Sequence, residues 1–209
     1  MFKNRTDAGH QLSDLLSDHD VTADLVLAIP RGGVPVGRVV ATRLGVPLDI
    51  VSARKIPAPW SHELAIGAVA SDGTIWLNES ALAQFEIPDS YLATQVERER
   101  YAAGEMLARY RGDRSPLEVS GERVVLVDDG IATGATMTAC ARQVRNAGAE
   151  SVVVAAPVAP PDTVERLFRE ADEVLCVETP PSFRAVGEFY EFFGQLSDEQ
   201  VDAYLSHGS

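Results

Sequence analysis

Two adjacent carboxylates, Asp128 and Asp129, stand just ahead of a Thr133-Gly134-Ala135-Thr136 turn that leads into a helical pattern at Met137. An ionised acid offers only hydrogen-bond acceptors, so the pair suits neighbouring sugar hydroxyls. The turn supplies two hydroxyls and several backbone N–H groups at a helix N-terminus, a ready site for a phosphate monoester. Acids at a strand end also hold Mg²⁺ in receiver-type domains, but the Thr-Gly-x-Thr turn favours the phosphate. A diol acceptor beside a phosphate cup fits a ribose 5-phosphate moiety.

These residues must be held by the elements around them. The apolar runs at residues 25–29 and 124–127 are short, rich in Val, Ile and Leu, and closed by Gly-containing turns, the pattern of buried parallel strands. Further strands are expected at 48–52, 151–155 and 174–177, with helices at 34–44, 136–147 and 162–170 between them. This alternation predicts an α/β fold with a doubly wound, mainly parallel sheet. Open sheets of this kind bind ligands at the carboxyl ends of their strands. Two stretches break the rhythm. Residues 57–78 suggest a loop and a hairpin, with runs at 68–70 and 74–77 around the turn Ser71-Asp72-Gly73, and the whole looks like an inserted lid. A long polar helix is expected over 90–111, where Glu97, Arg98, Glu99 and Arg100 form a charge run of the sort usually found on a solvated face. It is assigned no chemistry.

The string Val124-Val125-Leu126-Val127-Asp128-Asp129-Gly130-Ile131-Ala132-Thr133-Gly134-Ala135-Thr136 resembles the motif with which type I phosphoribosyltransferases bind 5-phosphoribosyl 1-pyrophosphate (PRPP). By that resemblance Asp128 and Asp129 hold the ribose hydroxyls, and Ile131, Ala132, Thr133, Gly134, Ala135 and Thr136 wrap the 5′-phosphate. Pro30-Arg31-Gly32-Gly33, alone only a turn, is similar to the family's pyrophosphate loop. Its glycines allow close approach, and the resemblance implies a non-proline cis peptide at Pro30–Arg31 or Arg31–Gly32. Arg31, Gly32 and Gly33 are thus the implied diphosphate contacts. Arg54 and Lys55 match a cation pair that precedes a mobile loop in the family, and they are the implied catalytic residues, since cations beside a leaving diphosphate stabilise growing charge. The plain alternative is a solvated strand-end pair. Trp60, His62 and Glu63 lie in the loop that would close. The segment 180–187 is similar to a hood, from which Phe183 could stack on a base or else anchor the tail as core.

The resemblance spans residues 25–177 and implies a single domain, 1–209, with a lid at about 57–78 and a hood and tail at about 179–209. It implies transfer of the phosphoribosyl group to a nucleobase or related acceptor by displacement of pyrophosphate at C1, through an oxocarbenium-like state. Mg²⁺ is the expected cofactor, bridging substrate oxygens with Asp128 and Asp129 in reach. Nucleotide salvage is the implied setting and a homodimer the expected assembly. Hypoxanthine and guanine enzymes carry an Asp where this chain has Ala132, as adenine-type members do, which disfavours a 6-oxopurine acceptor. Gly130 replaces a usual apolar residue, without an evident reason in the sequence. A PRPP- or nucleotide-sensing regulatory protein of the same fold is the alternative, as is hydrolysis or phosphorolysis of a related ribosyl phosphate.

Composition narrows the classes further. The net charge of −13 over 209 residues argues against a non-specific nucleic-acid binder, which needs a basic surface. Of the 18 basic residues only Lys3 and Lys55 are lysines. That balance is similar to salt-adapted surfaces and equally to the product of a high-GC genome. Without a run of about 20 apolar residues or an apolar leader after Met1, the expectation is a soluble, cytoplasmic protein with no membrane contact. Cys140 and Cys176 are two isolated thiols in buried segments, neither a disulfide framework nor a zinc site.

Overall fold

The structure, a computed structural model, describes residues 1–206; the side chains of His62 and Glu63 lie outside the described residues. In chain order the elements are α1 (Arg5–Asp18), β1 (Leu25–Ala28), α2 (Gly33–Leu44), β2 (Leu48–Ile50), β3 (Ala53–Ala58), β4 (Ser61–Ala70), β5 (Ile75–Leu77), α3 (Glu79–Phe85) and α4 (Asp89–Arg111). They continue with β6 (Arg123–Val127), α5 (Ala135–Asn146), β7 (Ser151–Val158), α6 (Pro161–Leu167), β8 (Glu173–Glu178), a short 3-10 helix (Val186–Phe189) and α7 (Asp198–Ser206).

Five strands pair in parallel in the order β2-β1-β6-β7-β8. Strand order reverses between β1 and β6, which are in direct register, Ala28 beside Val127. A crevice opens at such a switch point, outside the carboxyl ends of the strands, and there the chain carries Pro30 after one strand and Asp128 after the other. Burial on both faces explains the unbroken apolar strands. Val124 and Leu126 of β6 face the α5 side with Met137 and Cys140, while Val125 and Val127 face the opposite layer with Leu12, Leu16 and Val36. Each successive side chain thus enters a different core.

Helix α1 was not legible as an element in the sequence, although its signals are present. Asn4 caps it by accepting the Asp7 N–H at 2.9 Å, and Ala8, Leu12 and Leu16 recur every fourth residue on the buried face.

The irregular stretch expected at 57–62 is instead part of a second, antiparallel sheet, β3-β4-β5. Strand β4 is longer than the runs at 68–70 suggested. Its two faces are both covered, Ile66 and Val69 by α4 residues such as Tyr91 and Leu92, Ala68 and Ala70 by the α5 layer. Such a strand shows no polar–apolar alternation to betray it. The pairing is shifted at Pro57, a bulge of the kind that tolerates a proline in a strand. The turn at Ser71-Asp72-Gly73 is as expected, with Gly73 at φ 96° and Asp72 accepting the Thr74 N–H at 2.8 Å. Among the described residues no helix is long and apolar enough to cross a membrane. Cys140 is fully buried in the core and Cys176 lies at its margin, where burial pushes the thiol up to about 12.

Candidate functional site

A cavity of about 580 Å³ fills the crevice at the switch point. Its lining brings together Asp128, the loop Ile131–Thr136, the strand cations Arg54 and Lys55, and two residues of α4, Arg98 and Glu99.

The loop Ile131–Thr136 is formed by turning the chain between β6 and α5. Ile131 is anchored by its N–H to the Val158 carbonyl at 2.9 Å, and the Ala132 carbonyl accepts the Thr163 hydroxyl at 2.8 Å. These bonds hold the outer side of the loop. On the inner side, the N–H groups of residues 132–137 have no protein acceptor among the described residues. Gly134 makes the turn possible: at φ 76° it lies in the left-handed region, and it caps α5. Open donors at the N-terminus of a 12-residue helix form an anion site.

The two acids lie side by side and interact through their carboxyls. Asp128 lines the cavity and accepts the Asp129 N–H at 2.8 Å. Burial pushes the Asp128 carboxyl well above the ordinary carboxylate range, and the Asp129 charge adds to this. Asp129 is held by residues outside the cavity lining. Its Oδ2 accepts Nε of Arg5 at 2.7 Å, its carbonyl accepts the Tyr190 hydroxyl at 2.6 Å, and its carboxyl is raised by burial against the opposing pull of Arg5. Arg5 also donates to the Gly194 carbonyl at 2.9 Å and sits 4.0 Å over the Phe193 ring. No feature of the sequence marks Arg5 for this place, because 124 residues separate it from Asp129.

The Pro30-Arg31-Gly32-Gly33 loop carries the non-proline cis peptide at Pro30–Arg31, one of the two expected bonds. Its glycines answer to the acids beside them. A Cβ at Gly32 would lie 2.0 Å from Asp129 Oδ2, and one at Gly33 would lie 2.7 Å from the Val127 carbonyl oxygen. Pro30 reaches the cavity, whereas Arg31, Gly32 and Gly33 do not line it. The Arg31 side chain points to α4 and α7, donating to the Tyr110 hydroxyl at 2.8 Å and meeting Asp198 at 3.2 Å.

Arg54 and Lys55 occupy β3, opposite Val69 and Ala68. Both are exposed on the cavity wall. Arg54 lies 3.5 Å from the buried Glu99 carboxylate, which Arg98 approaches at 3.8 Å. The charge run on α4 is therefore only partly a solvated face. A polar helix packed against a strand that carries cations was the available signal. Phe183 stacks on Phe189 at 5.2 Å, in the apolar cluster that also holds Tyr190, and does not line the cavity; Val186 does. Gly130 finds its reason here: a Cβ would lie 2.4 Å from Val186 Cγ1. Trp60 is 55% exposed at the β3–β4 tip, edge-on to Phe85 at 5.0 Å. The expected roles of His62 and Glu63 fall on side chains outside the described residues.

Among the described residues no group of three or more His, Cys, Asp or Glu side chains could hold a metal ion. The hard oxygen of Asp128 on the cavity wall fits Mg²⁺ as one ligand among substrate oxygens and water, the way this ion is commonly held.

A parallel sheet whose switch point gathers the loop Ile131–Thr136, the carboxylates of Asp128 and Glu99 and the cations Arg54 and Lys55 is the arrangement of a ligand-binding α/β domain. Residues 4–191 match the phosphoribosyl transferase domain, and the chain belongs to the type I phosphoribosyltransferase family. It is 42% identical over 206 residues to a Mycobacterium tuberculosis H37Rv protein assigned by inference to the phosphoribosyl transferases, covering 98% of this chain and 46% of that protein. The chain thus spans about half the length of the curated relatives it matches first. The crystal structure of the Thermus thermophilus protein TT1426 superposes with a TM-score of 0.83 at 43% identity, covering 98% of this chain and 97% of that one. The adenine phosphoribosyltransferase of Mycolicibacterium smegmatis is 30% identical over 139 residues, 66% of this chain and 57% of its own length.

Proposed function

We propose that this domain transfers the 5-phosphoribosyl group of PRPP to a nitrogenous acceptor, with Mg²⁺ and with release of pyrophosphate. The observation that carries the reading is the single cavity in which Asp128, the open N–H cup of residues 132–137 and the cations Arg54 and Lys55 all meet. The cup takes the 5′-phosphate. Asp128 accepts the ribose hydroxyls, so C1 points toward the wall formed by Arg54 and Lys55. The acceptor nitrogen gives its lone pair to C1, the C1–O bond to pyrophosphate breaks with its electrons on the departing oxygen, and the nitrogen's proton passes to water. Positive charge on the strand stabilises the departing group most as that bond breaks. Mg²⁺, held by Asp128 together with substrate oxygens and water, would supply further neutralisation of negative charge. Ala132 in the cup is consistent with an aminopurine-like acceptor, and the 30% identity to an adenine enzyme supports the same class.

Isothermal titration with PRPP and Mg²⁺, followed by a screen of nucleobases for pyrophosphate release, tests this. Micromolar binding with release dependent on one base class is the expected result. Binding without release from any base would transfer the reading to a PRPP-sensing module, and absence of binding would end both.

A further inference from the structure

The two cations on β3 are not equivalent. Successive side chains of a strand point to opposite faces. Arg54 lies opposite Val69 and Lys55 opposite Ala68, and those partners pack into the α4 layer and the α5 layer respectively. Arg54 is thus aimed at α4, where Glu99 stands. The buried positions of that helix are Glu99, Ala103 and Tyr110, so a carboxylate occupies a face that elsewhere packs against the protein. The Glu99 side chain is only 11% exposed, yet its nearest donors are loose, Arg54 at 3.5 Å and Arg98 at 3.8 Å. No other donor reaches its carboxylate among the described residues. A well-formed charge-assisted bond would be about 2.7 to 2.9 Å. A buried carboxylate held this loosely keeps much of its desolvation cost, and Arg54, which lines the cavity, keeps 45% of its side chain exposed.

We infer that Glu99 is a positioning residue that acts through Arg54. In the empty site it holds the guanidinium along the α4 wall and offsets its charge. The 3.5 Å separation leaves that guanidinium free to turn to an entering diphosphate, whose oxygens offer shorter bonds in the same cavity. Once the C1–O bond has broken, the carboxylate competes with pyrophosphate for Arg54 and so favours its departure. This rests on the phosphoribosyl reading above for its ligand, whereas the pairing of Glu99 with Arg54 belongs to the free protein.

Calorimetry with inorganic pyrophosphate and Mg²⁺ compares the parent with Glu99→Gln, Glu99→Asp, Arg54→Gln and the double variant of Arg54→Gln with Glu99→Gln. Glu99→Gln should bind pyrophosphate more tightly by roughly three- to tenfold, between the scale of an exposed ion pair and that of a buried one. Glu99→Asp, whose carboxylate stands one methylene farther from Arg54, should fall between that and the parent. In the Arg54→Gln background the change at Glu99 should alter affinity by less than about twofold, because the partner through which it acts is gone. With the base found in the screen, Glu99→Gln should lower kcat and the KM for PRPP together, since a ground state and a product are then held too well. A loosened fold would raise KM instead. Weaker or unchanged pyrophosphate binding by Glu99→Gln would overturn the inference. So would an equal gain with and without Arg54, which would mean that the carboxylate only repels the ligand. A parent that binds neither pyrophosphate nor PRPP would end the phosphoribosyl reading, and the role of Glu99 with it.

Discussion

Replacing Asp128 by Asn should weaken PRPP binding and at the same time stabilise the ligand-free protein. The carboxylate already accepts the Asp129 N–H through Oδ1, which leaves Oδ2 and one lone pair of Oδ1 for ribose hydroxyls. Two charge-assisted bonds contribute about 1.5 to 3 kcal/mol each, and an amide oxygen retains one neutral bond of about 0.5 to 1.5 kcal/mol. The difference is about 2.5 to 4.5 kcal/mol, or roughly 70- to 2,000-fold in Kd. Stability moves the other way because burial holds the Asp128 carboxyl above its ordinary range. A raised folded-state value means that the native protein binds the proton more tightly than the unfolded chain. The parent therefore loses stability as pH rises from about 4 through that folded-state value. The Asn variant has no proton to lose there and should fall less steeply, with Asp129 supplying what remains. Titration calorimetry with PRPP and Mg²⁺, and urea unfolding in chelator at pH 5 and pH 8, measure the two effects. A variant that binds PRPP like the parent would remove Asp128 from the ribose site. One that is less stable than the parent at pH 8 would show that its charge is not held against solvation.

Lys55→Ala should lower kcat for the base found in the screen more than it raises KM, because a wall cation meets the greatest charge as pyrophosphate departs. Gly130→Val should destabilise by about 1 to 3 kcal/mol in urea unfolding, the range for overpacking, since even its Cβ would lie 2.4 Å from Val186; Val186→Ala in the same chain should restore most of the loss. Chelation of Mg²⁺ should abolish calorimetric PRPP binding while leaving the melting temperature unchanged, because among the described residues no multi-residue metal cluster contributes to the fold.

The legible parts of the molecule were those whose signals are local. The buried strands at 25–29 and 124–127 announced themselves by composition, and Gly134 by the turn that only a residue free to adopt positive φ makes cheaply. The turn before α5 lies in a short string whose neighbours in sequence are also neighbours in space, and the cis peptide came from a family resemblance carried by another such string. What was hidden depends on distant pairing. Arg5 reaches Asp129 across 124 residues and Glu99 reaches Arg54 across 45, so neither partner could be seen from the other's surroundings. The reason for Gly130 was out of sight in the same way, because the side chain that fills its space belongs to a 3-10 helix 56 residues on, at Val186. Strand β4 escaped because small apolar side chains on both faces erase the alternation by which a strand is recognised.

Asp129 is gripped from both ends of the chain, by Arg5 near the start and by Tyr190 near the finish, and Phe2 pairs with Tyr190 beside them. Closing such long loops is entropically late, so contacts of this separation form after the local strands and helices have assembled. On a ribosome the central sheet can therefore collapse while the second acid still lacks its restraints. The competent pocket arises only when residue 190 has emerged and folded back. Ligand binding should then serve as a marker of that late docking, appearing after the far-ultraviolet signal of the helices that precede residue 190.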